Sequence, residues 1–70
     1  MNDNEHIRLI LKTLPEKPGV YHFLDSDNKI IYIGKAKILK RRVNSYFNKH
    51  HTSPKLNALV RKIQDIKFTI

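Results

Sequence analysis

Seventy residues with 14 Lys and Arg against six Asp and Glu carry a formal charge of +8, in a chain with room for one small domain and not for two. Cysteine is absent, which excludes a disulfide framework, a Cys-ligated zinc site and a thiol nucleophile together. No apolar run approaches the ~20 residues of a membrane span, and MNDNEHIR lacks the layout of a secretory signal; no membrane partner is expected, and the expected location is cytoplasmic.

Charge is distributed unevenly. Five of the acids precede Asn28 and the sixth is Asp65, so the stretch from Asn28 to Gln64 holds no carboxylate. The same stretch carries Lys29, Lys35, Lys37, Lys40, Arg41, Arg42, Lys49, Lys55, Arg61 and Lys62, interleaved with regularly spaced apolar residues. A one-signed block on a folded face points to a polyanionic partner.

In chain order, Ile7, Ile10, Leu11 and Leu14 repeat with helical period behind Asp3 or Asn4 as N-cap, and Pro15 and Pro18 close that helix. Gly19 to Leu24 and Ile30 to Ile33 are β-branched and aromatic runs separated by the turn sequence DSDN, a hairpin pattern. With Asp25 to Asn28 as a four-residue loop, Phe23 faces Ile30 and Tyr21 lies directly opposite Tyr32; an odd loop would separate the two tyrosines onto opposite faces. A second helix is expected from about Ile38 to Phe47, with Leu39, Val43, Tyr46 and Phe47 inward, Arg41 outward and Arg42 on the border. Ser53 caps a third helix with Pro54 in its first position and Leu56, Leu59, Val60 and Ile63 as its buried face, and Ile66 to Ile70 alternates as a third strand. The expected fold class is α+β: a small, mainly antiparallel three-stranded sheet, hairpin plus later strand, with flanking helices and one sheet face left bare.

Gly19-Val20-Tyr21 and Tyr32-Ile33-Gly34 on neighbouring strands, trailed by Lys35 and a basic helix, resemble the GIY-YIG nuclease family. PEKPGVYHFLD and IIYIGKAKILKRRVNSYF are most similar to its UvrC-type excinuclease branch, densely from Leu14 to Phe47 and more thinly from Ser53 to Ile70. The resemblance implies that residues 1–70, with 17–70 the recognisable portion, are the N-terminal part of an endonuclease domain in a longer chain. It implies Mg2+- or Mn2+-dependent incision of damaged double-stranded DNA on the 3′ side of a lesion, with the excinuclease proteins UvrA and UvrB as partners.

By the same resemblance Tyr32 is the general base or the positioner of the attacking water, aided by Lys35. Arg42 neutralises charge on the phosphoryl oxygens, and Tyr21 and Tyr46 orient the phosphate. The family's metal-binding glutamate follows the third strand, so the fold is expected to be truncated before that helix, to bind no metal tightly and to be inactive alone. Metal ligands are none: Asp25 and Asp27 at the turn lie more than ~10 Å along the strand from Tyr21. Lys37, Lys40, Arg41 and Lys49 form a phosphate-contacting face, with Gly34 allowing close backbone approach to DNA. Read without the resemblance, Tyr46 is equally a core residue, Gly34 a strand end, and His50 and His51 loop polarity. The alternative function is a non-catalytic basic module that binds nucleic acid.

Overall fold

The computed structural model describes residues 5–48 and 53–70. Helix α1 spans Glu5–Thr13, strand β1 Gly19–Leu24, strand β2 Ile30–Ala36, helix α2 Leu39–Asn48, helix α3 Pro54–Lys62 and strand β3 Asp65–Thr69. The sheet is antiparallel with order β2-β1-β3, which puts β1 in the centre and β2 at an edge. The expected α+β class and element order are therefore found. The N-cap expected at Asp3 or Asn4, the phosphate contact expected of Lys49 and the His50-His51 pair lie outside the described residues.

The hairpin differs from expectation in one consequential way. Leu24 pairs with Ile30, so the loop runs over residues 25–29 and has five residues rather than four. Asp25 dictates this length. Its Oδ1 accepts from the backbone N–H of Asp27 at 2.9 Å and of Lys29 at 3.0 Å, its own N–H donates to the Lys29 carbonyl, and Asn28 takes the left-handed φ of 63° that closes the turn. A five-residue loop in regular register would send Tyr32 to the face opposite Tyr21. A bulge intervenes: Phe23 pairs with Tyr32, Ile31 is passed over, and Tyr21 pairs with Gly34. The tyrosines still share a face, but offset by two residues rather than directly opposite.

That face carries the core. Ile7, Leu14, Tyr21, Phe23, Leu39, Val43, Tyr46, Ile63 and Ile66 form one buried cluster. α2 is seated by backbone bonds to the α1–β1 connection, Leu39 N–H to the Lys17 carbonyl (2.9 Å) and Lys40 N–H to the Pro15 carbonyl (3.1 Å), which satisfy two of its otherwise unpaired N-terminal donors. Asn44 Nδ2 donates to the carbonyls of Leu11 and Lys40, tying α1 to α2. His6 Nε2 and Asp65 Oδ1 meet at 2.9 Å between α1 and β3.

Two expectations are corrected here. β2 continues through Gly34, Lys35 and Ala36 instead of stopping at Ile33, because all three keep partners on β1. The face of α3 is only partly buried: Ser53 caps it, accepting from Leu56 N–H, but only Ile63, just past its end, is fully enclosed, while Leu56, Leu59 and Val60 lie against the rim of the cluster. On the far side of the sheet Ile33 is 55% exposed, in keeping with a sheet face left bare.

Removing the turn's organising carboxylate in Asp25→Ala is expected to cost about 1–2 kcal/mol, from two charge-assisted bonds and the turn they specify. Urea unfolding checks it; an unchanged midpoint would contradict the turn assignment.

Candidate active site

On the core face of the sheet Tyr21 and Phe23 project from β1, Tyr32 from β2, and Tyr46 from α2 against them. The Tyr21 and Tyr46 hydroxyls are hydrogen bonded at 2.9 Å. The Tyr32 ring centroid lies 6.3 Å from that of Tyr21 and 6.3 Å from that of Tyr46. Arg42, one helical turn before Tyr46, holds its guanidinium carbon 5.9 Å from the Tyr46 ring centre, within cation–π range. The border position of Arg42 on α2 thus delivers the side chain to the hairpin tyrosines.

Exposure divides the group. Tyr21 is 1% and Tyr46 8% exposed, whereas Tyr32 is 40% exposed. A ligand arriving from solvent meets Tyr32 and Arg42. The Tyr21 hydroxyl, enclosed with the rest of its side chain, is engaged with that of Tyr46. Tyr46, equally core and site in sequence, lies in the core cluster with its hydroxyl on that of Tyr21.

Burial, then hydrogen bonding to Tyr21, pushes the Tyr46 phenol well above its ordinary value of 10.0, so it stays neutral and keeps its proton. Hydrogen bonding to Tyr21 raises Arg42 further above its ordinary value, and its charge is permanent. The result is a fixed cation beside three phenols, a donor-rich setting for a phosphate.

Both motif glycines make room. A Cβ on Gly34 would overlap Cζ and Oη of Tyr21, and one on Gly19 would overlap the Thr69 carbonyl oxygen and the Leu39 side chain. Gly34 therefore seats the Tyr21 ring across the strand pair. The expected approach of DNA to the backbone has no bearing on this side of Gly34, where Tyr21 fills the space.

Lys35 pairs with Val20 between the core-facing Gly34 and Ala36, so strand alternation directs it to the opposite face of the sheet from the phenols. The structure does not bring it into the cluster. Lys37 follows β2 and is exposed, Lys40 in the first turn of α2 is half-buried, and Arg41 is exposed on α2. Phe23, at the centre of the tyrosine rings, had no assigned role in sequence; alternation with Tyr21 along β1 was the available signal.

The donor set does not fit a resident divalent cation. Such ions take oxygen ligands, usually with carboxylates, and the cluster offers phenols and a guanidinium. Asp25 caps the turn and Asp65 bonds to His6 and to its neighbour's N–H. Among the described residues no three His, Cys, Asp or Glu side chains gather as a metal site.

Comparison with known proteins agrees with this fold. Residues 17–70 match the profile of the UvrC-like GIY-YIG domain. The UvrABC system protein C of Porphyromonas gingivalis is 51% identical over 70 residues, all of this chain and 12% of that protein. That of Flavobacterium johnsoniae is 56% identical over 62 residues, 89% of this chain and 10% of that protein. The chain thus spans 10–12% of the length of these curated relatives. The crystal structure of the GIY-YIG N-terminal endonuclease domain of UvrC from Thermotoga maritima, bound to its catalytic magnesium, superposes with a TM-score of 0.79 at 33% identity, covering 100% of this chain and 73% of that one.

Gly34→Ala is expected to displace Tyr21 from Tyr46 and to lower stability by about 1–3 kcal/mol, as overpacking does, read from the urea midpoint. A second expectation concerns pH. The Tyr46 phenol is held protonated in the folded state, so above pH 10, where it ionises in the unfolded chain, the unfolded state binds fewer protons and stability falls as pH rises. Tyr46→Phe should flatten that fall in denaturant titrations from pH 9 to 11; an undiminished slope would contradict the burial of the phenol.

Proposed function

The chain belongs to the UvrC-like GIY-YIG domain family, and from that premise we propose that it forms the phosphate-facing part of an endonuclease centre acting on damaged double-stranded DNA. The reaction is hydrolysis of a phosphodiester on the 3′ side of a lesion in bacterial nucleotide excision repair. The partners are the excinuclease proteins UvrA and UvrB, met through a full-length protein in the cytoplasm. Among the described residues no helix is long and apolar enough to cross a membrane.

The observation that carries the reading is the pairing of one open phenol with one fixed cation above a floor of enclosed, hydrogen-bonded tyrosines. As water attacks phosphorus, negative charge grows on the non-bridging oxygens, and Arg42 offers planar donors to it without reorganising. Tyr32 is the phenol placed to meet the attacking water, orienting it or taking its proton. Tyr46, held neutral, and Tyr21, bonded to it, fix the Arg42 and Tyr32 side chains rather than touching substrate. Lys37, Lys40 and Arg41 hold the neighbouring phosphates, as Lys49 would, and set the register of the duplex without reading its sequence. Lys35, based on the opposite face of an edge strand, joins that positioning set in preference to the reacting one.

A divalent cation of the kind bound by the Thermotoga domain finds no carboxylate in this cluster. Its ligands are proposed to come from protein outside these 70 residues, so that the chain alone does not cut.

In a full-length incision protein with these residues, Tyr32→Phe and Arg42→Ala should each reduce incision of damaged duplex by about 10²-fold or more, with DNA affinity little changed. Normal cutting by both variants would refute the site. Replacing Lys37 and Arg41 by Ala should instead weaken binding at every sequence and lower the slope of log affinity against log salt by about two. Tight binding with no incision under any metal condition would favour the non-catalytic basic module.

A further inference from the structure

Phe23 has no polar atom and no access to solvent, being 0% exposed, yet it is the ring around which the site is built. It pairs with Tyr32 across the strands, and the two rings stack at 6.1 Å with 29° between their planes. Tyr46 meets it edge-on at 5.0 Å and 88°, and Tyr21 lies 5.2 Å away at 45°. Phe47 closes the far side, edge-on at 6.2 Å. Phe23 therefore touches all three phenol-bearing rings.

The need for such a ring follows from the placement of Tyr32. It stands on an edge strand, just past a bulge, and is 40% exposed, so neither the strand nor burial fixes its ring. A flat apolar surface directly across from it restricts the ring to orientations parallel to that surface, and stacked or edge-on aromatic pairs add about 0.5–1.5 kcal/mol beyond the area they bury. Tyr46, wedged perpendicular to the same surface, is held where its hydroxyl reaches Tyr21.

We propose that Phe23 is a positioning residue for the incision chemistry, acting through the orientation of Tyr32 and Tyr46 and making no contact with substrate. The proposal rests on the nuclease reading of this site. An aliphatic side chain of similar volume would fill the space and leave the Tyr32 ring without a plane to lie on. Misplacement of a reacting group by about an ångström costs up to ~10²-fold in rate. The loss should therefore appear in kcat and leave KM for DNA, set by the surrounding cations, unchanged.

The test compares Phe23→Leu with Ile7→Val, a core trim on α1, which carries none of the rings, in a full-length incision protein at temperatures giving equal folded fractions. Phe23→Leu should lose about tenfold to a hundredfold in kcat at constant KM. Its incision pH profile should shift, and so should the ultraviolet titration of its tyrosines, while Ile7→Val keeps the parent's kcat, profile and titration. Should Phe23→Leu not fold, Phe23→Met, flexible and close in volume, is measured in its place with the same expectations. Equal losses in the core trim and the Phe23 variant, with both pH profiles unchanged, would overturn the proposal. So would a Phe23 variant that cuts normally while Tyr32→Phe is inactive; normal cutting by both Tyr32→Phe and Arg42→Ala removes the reading of the site itself, and the proposal with it.

Discussion

Parity governs this small sheet. Side chains alternate between its faces, so every residue added to the β1-β2 loop exchanges the sides on which β2 presents its residues. The Asp25 carboxylate fixes a five-residue loop, which alone would put Tyr32 and Gly34 on the solvent side and Ile33 and Lys35 on the helix side. One residue without a strand partner, Ile31, restores the count, and the bulge it forms aims Tyr32 at the same region as Tyr21. The contacts of Tyr32 with Phe23, Tyr21 and Tyr46 all depend on that compensation.

Given the parity, the chemistry of the site follows from how unequally its phenols are buried. Two are enclosed and joined to each other, and the low polarity around Tyr46 favours its neutral form. Their enclosure leaves the open phenol and the permanent cation as the surface offered to a phosphate in the proposed reaction. Space for the enclosed pair comes from Gly34, where a methyl group would overlap the hydroxyl end of the Tyr21 side chain. Stability and function are thus coupled in the same few atoms: the aromatic rings that hold the hairpin against α2 also determine what the site presents.

Much of this was legible in sequence because it is local. Helical spacing located Leu39, Val43 and Tyr46 on one face of α2, Ser53 and Pro54 marked the start of α3, and the runs around DSDN gave the hairpin. The shared face of Tyr21 and Tyr32 was reached from an even loop in regular register, whereas the fold reaches it by an odd loop and a bulge, two departures that cancel. A bulge answers to sheet twist and to the packing of Ile31 against the core, neither of which a strand pattern encodes. The role of Gly34 was hidden for a related reason, since it depends on a ring from the partner strand. The resemblance grouped Lys35 with Tyr32, whereas strand alternation puts the two on opposite faces of the sheet. The partial cover of α3 is likewise tertiary: its apolar spacing is helical, but the neighbours needed to enclose it are few.

The most direct measurement is a nuclear Overhauser map of the ring protons in a chain with labelled Tyr and Phe. The bulged register predicts cross-peaks from the Tyr32 ring to the rings of both Phe23 and Tyr46, and close contact of the Tyr21 ring with the Gly34 α-protons. Cross-peaks from Tyr32 to His22 in their place, with the Tyr46 ring silent toward it, would put the phenol on the other side of the sheet and contradict the account.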